Sequence, residues 1–198
     1  MKSTRYWLTA RGAGILMGLA ISALIWSCKG GGNDNSPVPC TTITFDAADA
    51  APAAGDVFLS ATGSTCSTVN VSVVINNLSG IFTVGFDLTF PSSVLQYDSY
   101  TVGPLLQKSS TIAPIVLVTP LSSGLQVAMT RLLTDGPVAA TNNEVLITFQ
   151  FSKKSAGTGM IDFNSSSSST VTEEVLDENG QTRPASFGPG HGGSVVVP

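Results

Sequence analysis

Charge and aromatic rings are both scarce in this chain. Of 198 residues, 11% are charged and 7% aromatic, and the one histidine is His191. Three of the nine Lys and Arg residues (Lys2, Arg5 and Arg11) lie at the N-terminus. The remainder carries six cations against 13 acids, a net charge of about −7, and has no basic patch. Nucleic acid is therefore not an expected partner, because phosphate neutralisation needs clustered Lys and Arg. Anionic polysaccharide is disfavoured for the same reason.

The single histidine narrows the chemistry. A serine nucleophile needs a base within hydrogen-bond reach, and only His191 is available. It stands in "GPGHGG" with no obvious acid to orient it, and reads as a solvated loop residue. Glu173, Glu174, Asp177 and Glu178 are neighbours in a polar segment without flanking aromatics. They read as a solvated turn rather than as the paired carboxylates of a glycosidase, which stand roughly 5–10 Å apart. Two cysteines and one distant histidine lack metal-ligand spacing, so no metal site and no cofactor are expected. The reading is of a protein that is not an enzyme.

Both tryptophans, Trp7 and Trp26, fall in the first 26 residues. Downstream the only tyrosines are Tyr97 and Tyr100, and most phenylalanines alternate inward. A three-ring platform for flat carbohydrate is excluded. A short groove using Tyr97 or Tyr100 is what direct glycan binding would have to rest on.

The N-terminus is an address. Its three cations precede a 15-residue apolar stretch, Gly12 to Trp26, and the small Ser27. A membrane-spanning helix needs about 20 apolar residues. A positive start, a short apolar core and a small residue describe a secretory signal peptide over residues 1–27. Leu24, Ile25, Ser27 and Cys28 resemble the bacterial lipoprotein signal; Trp26 departs from it, a small residue being usual there. The resemblance implies lipidation of Cys28 and a lipid anchor in the cell envelope. Lys29 is not the aspartate that retains some lipoproteins in the inner membrane, which favours the outer membrane. The alternative is an ordinary signal peptide cut nearby, with Cys28 left as a pairing thiol. Residues 28–40 then form a linker, "KGGGNDNSPVP" being its body. Eleven such residues span roughly 18 Å, enough to lift a domain clear of a lipid surface.

Residues 41–198 suit a single domain. Cys40 and Cys66 form an even pair in an exported chain and are expected to be a disulfide, two free thiols being the alternative. Helical periodicity is almost absent. In "TVNVSVVI", Val69, Val71, Val73 and Ile75 share one face. In "IFTVGFDLTF", Phe82, Val84, Phe86, Leu88 and Phe90 point one way and Thr83, Gly85, Asp87 and Thr89 the other. "IAPIVLVTP" is apolar on both faces, "GLQVAMTRLL" aligns Leu125, Val127 and Met129, and "NEVLITFQFS" aligns Val145, Ile147, Phe149 and Phe151. With "TITF", "DVFLS", "LQYDSYTV", "GMIDFN" and "GSVVVP" the pattern predicts nine or ten strands and an all-β sandwich. "PSSVL" reads as one helical turn. "STVTEEVLDENG" reads as a short capped helical turn, or its "DENG" as the tight turn of a hairpin.

"GFDLTFPSSVLQY", then "GLQVAMT", "NNEVLITFQFSKKSAGTGMIDF" and "VLDENGQTRPASFGPGHGGSVVV", resemble the ordered motifs of the cohesin family, which is related to several carbohydrate-binding modules. That resemblance implies a nine-stranded jelly-roll sandwich that binds a protein partner, dockerin modules in polysaccharide-degrading assemblies being the family's usual ones. It implies a contact on the sheet containing Ile81–Phe90 and Leu125–Leu132, centred on Thr83, Gly85, Asp87 and Thr130. Thr83 and Gly85 stand where dockerin-binding members often present Asn and Asp. The alternative function is that of a carbohydrate-binding module.

Overall fold

The computed structural model describes residues 40–164, 172–188 and 190–198. The expected signal peptide, Cys28 and nearly all of the expected linker lie outside the described residues, as does the serine run after Asn164.

Three β-sheets account for most of the regular structure among the described residues. One sheet runs in the order β1 (Thr44–Ala47), β13 (Gly193–Val197), β11 (Gly157–Phe163), β5 (Thr83–Thr89), β8 (Gly124–Thr130), β7 (Ile115–Pro120), with β12 (Glu174–Leu176) also paired to β5. The second runs β2 (Val57–Ser64), β3 (Thr68–Ile75), β10 (Glu144–Lys153), β6 (Leu95–Val102). A small ribbon pairs β4 (Leu78–Ile81) with β9 (Val138–Ala140). Two short 3-10 turns, Leu105–Gln107 and Leu133–Asp135, are the only helical segments among the described residues.

The period-two pattern explains the core. Val69, Val71, Val73 and Ile75 of β3 are fully buried, as are Val84 and Phe86 of β5 and Phe149 and Phe151 of β10. The two large sheets meet through aromatic contacts: Phe86 stands edge-on to Phe149 at 6.5 Å and Phe90 lies 5.2 Å from Phe151. Such pairs add directional attraction to the hydrophobic term.

The all-β sandwich is as expected; the described residues hold 13 strands, against the nine or ten expected. The additional strands, β4, β9 and β12, have three or four residues each, too short to show alternation. The expected helical turn at Ser169–Gly180 is corrected by β12: Val175 is fully buried beside Val84, and strand pairing satisfies the backbone. The hairpin-turn reading of "DENG" holds. Asp177 Oδ1 accepts from the N–H groups of Asn179 and Gln181, both at 2.9 Å. Pro91–Leu95 does make one turn, with Pro91 O accepting from Val94 and Leu95. β10 also departs from strict alternation. A bulge between Val145 and Ile147 buries Leu146 and leaves Val145 half-exposed. Gly103 N–H donates to Leu146 O at 2.9 Å, and a Cβ on Gly103 would stand 2.2 Å from Val145 O. The close approach admits only glycine.

Cys40 and Cys66 are bonded to one another, with Cα atoms 5.6 Å apart. No helix among the described residues is long and apolar enough to cross a membrane.

Candidate functional site

The outward side of the β7–β8–β5–β12 region is set by register. One row across the strands reads Ile115, Thr130, Thr83, Leu176, and the next reads Leu117, Ala128, Gly85, Glu174. A third places Thr119, Gln126 and Asp87 side by side. Thr83 and Thr130 join through their hydroxyls at 2.8 Å. The sequence-derived set Thr83, Gly85, Asp87 and Thr130 is therefore brought together on one side of one sheet.

Its exposure differs from expectation. Gly85 is buried between Ala128 and Glu174, and Asp87 is only 4% exposed. The open part of the face lies one and two strands away. Ile115 is 58% exposed and Leu117 62%, neighbours of the exposed Ala128 on β8. β7 is an edge strand, so its outward residues face solvent while Val116 and Val118 pack against the core. The both-faces-apolar pattern of "IAPIVLVTP" was the signal for this patch. Beside Asp87, burial first and then the charges of Asp87 and Asp162 push the Glu173 carboxyl above the ordinary carboxylate range. Two acids near a half-buried third disfavour a close anionic partner at that end.

The tyrosines do not form a platform. Tyr97 is opposite Phe151 and Tyr100 opposite Phe149, on the core-facing side at the edge of the second sheet. Tyr97 packs edge-on against both phenylalanines, at 6.2 and 6.3 Å. Burial, and secondarily Tyr100, raises its phenol pKa. A groove of about 200 Å³ beside it is lined by Phe90, Gln96, Pro120, Leu121 and Lys154. Ligand pockets usually begin near about 300 Å³.

His191 is not the solvated residue that its glycine-rich context predicted. Nδ1–H donates to Asp49 Oδ2 at 3.0 Å, and Ser186 Oγ lies 3.3 Å from Nε2. Asp49 is 142 positions away, beyond what local reading detects. The Ser186–His191–Asp49 connectivity is that of an acyl-transfer triad, but Asp56 Oδ1 stands 3.8 Å from Nε2. A carboxylate there places negative charge where a hydrolytic transition state needs donors.

No curated protein matches this sequence. Among solved structures, a type II cohesin domain from the cellulosome of Acetivibrio cellulolyticus is 14% identical, with a TM-score of 0.52 over 80% of this chain and 96% of that one. The sixth cohesin of the same organism's scaffoldin B, in complex with a Cel5 dockerin mutant, is 18% identical with a TM-score of 0.52, covering 68% and 94%. The type II cohesin dyad from its adaptor ScaA scaffoldin gives 0.53 at 14% identity; 72% of this chain matches 48% of the dyad. These likenesses establish the fold. The cohesin-domain family model matches residues 57–183, from the first residue of β2 to the segment after β12, which is well over half of the sequence. The chain belongs to the cohesin-domain family.

Proposed function

We propose that this protein is a non-catalytic, envelope-tethered module that captures a dockerin-like protein on the outward face of β7, β8 and β5, within a polysaccharide-processing assembly. The carrying observation is the exposed apolar pair Ile115 and Leu117, in adjacent rows with the Thr83–Thr130 hydroxyl pair and with Ala128. Cohesin domains bind dockerin proteins and are non-catalytic, and one structural neighbour is a cohesin–dockerin complex. Because Thr83 and Gly85 offer fewer polar groups than Asn and Asp, the contact rests on apolar burial. It suits an amphipathic helix laying its apolar side on the sheet. Lipidation of Cys28 supplies the anchor in the outer membrane, and the linker supplies the reach.

Calorimetry against a panel of dockerin-type modules tests the docking surface. Leu117→Arg should weaken a bound module by at least about tenfold, as loss of a central apolar anchor does. Retained affinity in that variant rejects the face. A polysaccharide panel separates the alternative: the Tyr97 groove favours glycan only if binding appears and is lost in Tyr97→Ala or Tyr100→Ala. For the anchor, Cys28→Ser should move the protein out of the membrane fraction. Wild-type protein found soluble with an unmodified Cys28 by mass spectrometry overturns it.

A further inference from the structure

We propose that His191, Asp56 and Ser186 bind one divalent cation of the zinc class, with Asp49 orienting the imidazole. Asp49 lies between β1 and β2, Asp56 immediately precedes β2, and Ser186 and His191 lie in the connection into β13. One ligand atom from each of Asp49, Asp56 and His191 falls within 4.8 Å of the others.

Spacing selects the ligand atoms. Two donors on a tetrahedral zinc ion stand about 3.4 Å apart, given metal–ligand bonds of about 2.0–2.2 Å. His191 Nε2 is 3.8 Å from Asp56 Oδ1 and 3.3 Å from Ser186 Oγ, values on either side of that separation. The other ring nitrogen is already engaged by Asp49 Oδ2 at 3.0 Å. A carboxylate behind a ligating imidazole fixes the tautomer and raises the basicity of the free nitrogen. Asp56 Oδ2 is held by Ala53 N–H, so Oδ1 remains turned toward the imidazole.

Charge points the same way. The carboxylates of Asp49 and Asp56 bring two negative charges to the cluster. A dication brings it to zero. Asp56 is 9% exposed, so uncompensated charge there is expensive. A donor set mixing imidazole nitrogen with carboxylate oxygen suits zinc over calcium or magnesium, which prefer oxygen throughout.

The scaffold is pre-formed. Val57 N–H donates to Ser186 O at 2.8 Å, Leu59 N–H to His191 O at 2.7 Å and Ser186 N–H to Gly55 O at 2.9 Å. These bonds clamp the two segments irrespective of the side chains. Gly188 and Gly190 have positive φ, +111° and +98°, and His191 N–H donates to Gly188 O at 3.1 Å.

Equilibrium dialysis of the full chain against Zn²⁺, with the metal quantified, gives the primary readout. One zinc per chain is expected. At a hundredfold excess over Kd the melting temperature should rise by about 5–10 °C. Asp49→Asn should weaken binding about 10–100-fold, and Asp56→Asn and His191→Ala should abolish it, with circular dichroism reporting whether each remains folded. Sub-stoichiometric zinc on the wild type overturns the proposal, as does zinc retained in folded Asp56→Asn or His191→Ala. Tighter binding of Ca²⁺ than of Zn²⁺ overturns the ligand assignment.

Discussion

Arg131 is the residue whose removal should be felt most widely. It is 3% exposed, and its guanidinium donates to four carbonyls: Leu106, Lys108, Asp135 and Gly136. Those carbonyls belong to the two 3-10 segments and their flanks, so one side chain fastens both turns to the end of β8. Arg131→Ala should cost about 3 kcal/mol, because the buried Leu106 carbonyl and three part-buried ones lose their donor at once; urea midpoints measure it. Phe86 and Thr83 make a paired test of facing. Phe86→Asp should prevent folding, since an unpaired carboxylate would enter the aromatic contact with Phe149. Thr83→Asp, on the outward side, should leave a native circular dichroism spectrum.

Within elements, legibility followed strand length. The long alternating strands β3, β5 and β10 were evident because four or five apolar residues recur at spacing two. β12 was misread because "TEEVLDENG" also carries the acidic start and glycine end of a helical turn, and only pairing with β5 decides between them. The Leu146 bulge was hidden because Val145, Leu146 and Ile147 are all apolar, so no polar residue marks the break in alternation. In the candidate face, the shared facing of Thr83, Gly85 and Asp87 was readable from alternation, but the burial of Gly85 and Asp87 was not, since it depends on flanking strands. The turn into β10 carries a pH dependence. Glu144 ion-pairs with Lys108 and accepts from the Thr141 N–H and hydroxyl at 2.9 Å. Burial alone would raise its pKa, but the Lys108 and Thr141 bonds outweigh that and lower it. A folded pKa below the unfolded value stabilises above the unfolded value of about 4.3 and loses that contribution as pH falls toward the folded one. The stability gap between wild type and Glu144→Gln should therefore be full at pH 7 and close in acid, as urea titrations at each pH would record.

At the scale of the whole molecule, the cross-link between Cys40 and Cys66 closes a loop of 26 residues that includes β1, Asp49, Asp56 and β2. In the chain-entropy account it is worth about 3.5 kcal/mol. Its other consequence is mechanical. Tension entering along the chain ahead of Cys40 does not pass through β1, which would otherwise peel from β13 one residue pair at a time. The covalent bridge carries the load directly to Cys66 and into β3, a strand hydrogen-bonded on both sides by β2 and β10. Force thus meets many bonds in parallel rather than a short edge in series. Single-molecule pulling from both ends should show full unfolding releasing about 85 Å less chain when the bridge is intact than after reduction. The first 26 residues of the fold are in this sense slack toward a pull from the N-terminal side: they stay ordered through β1's pairing with β13 while the bridge carries that load past them.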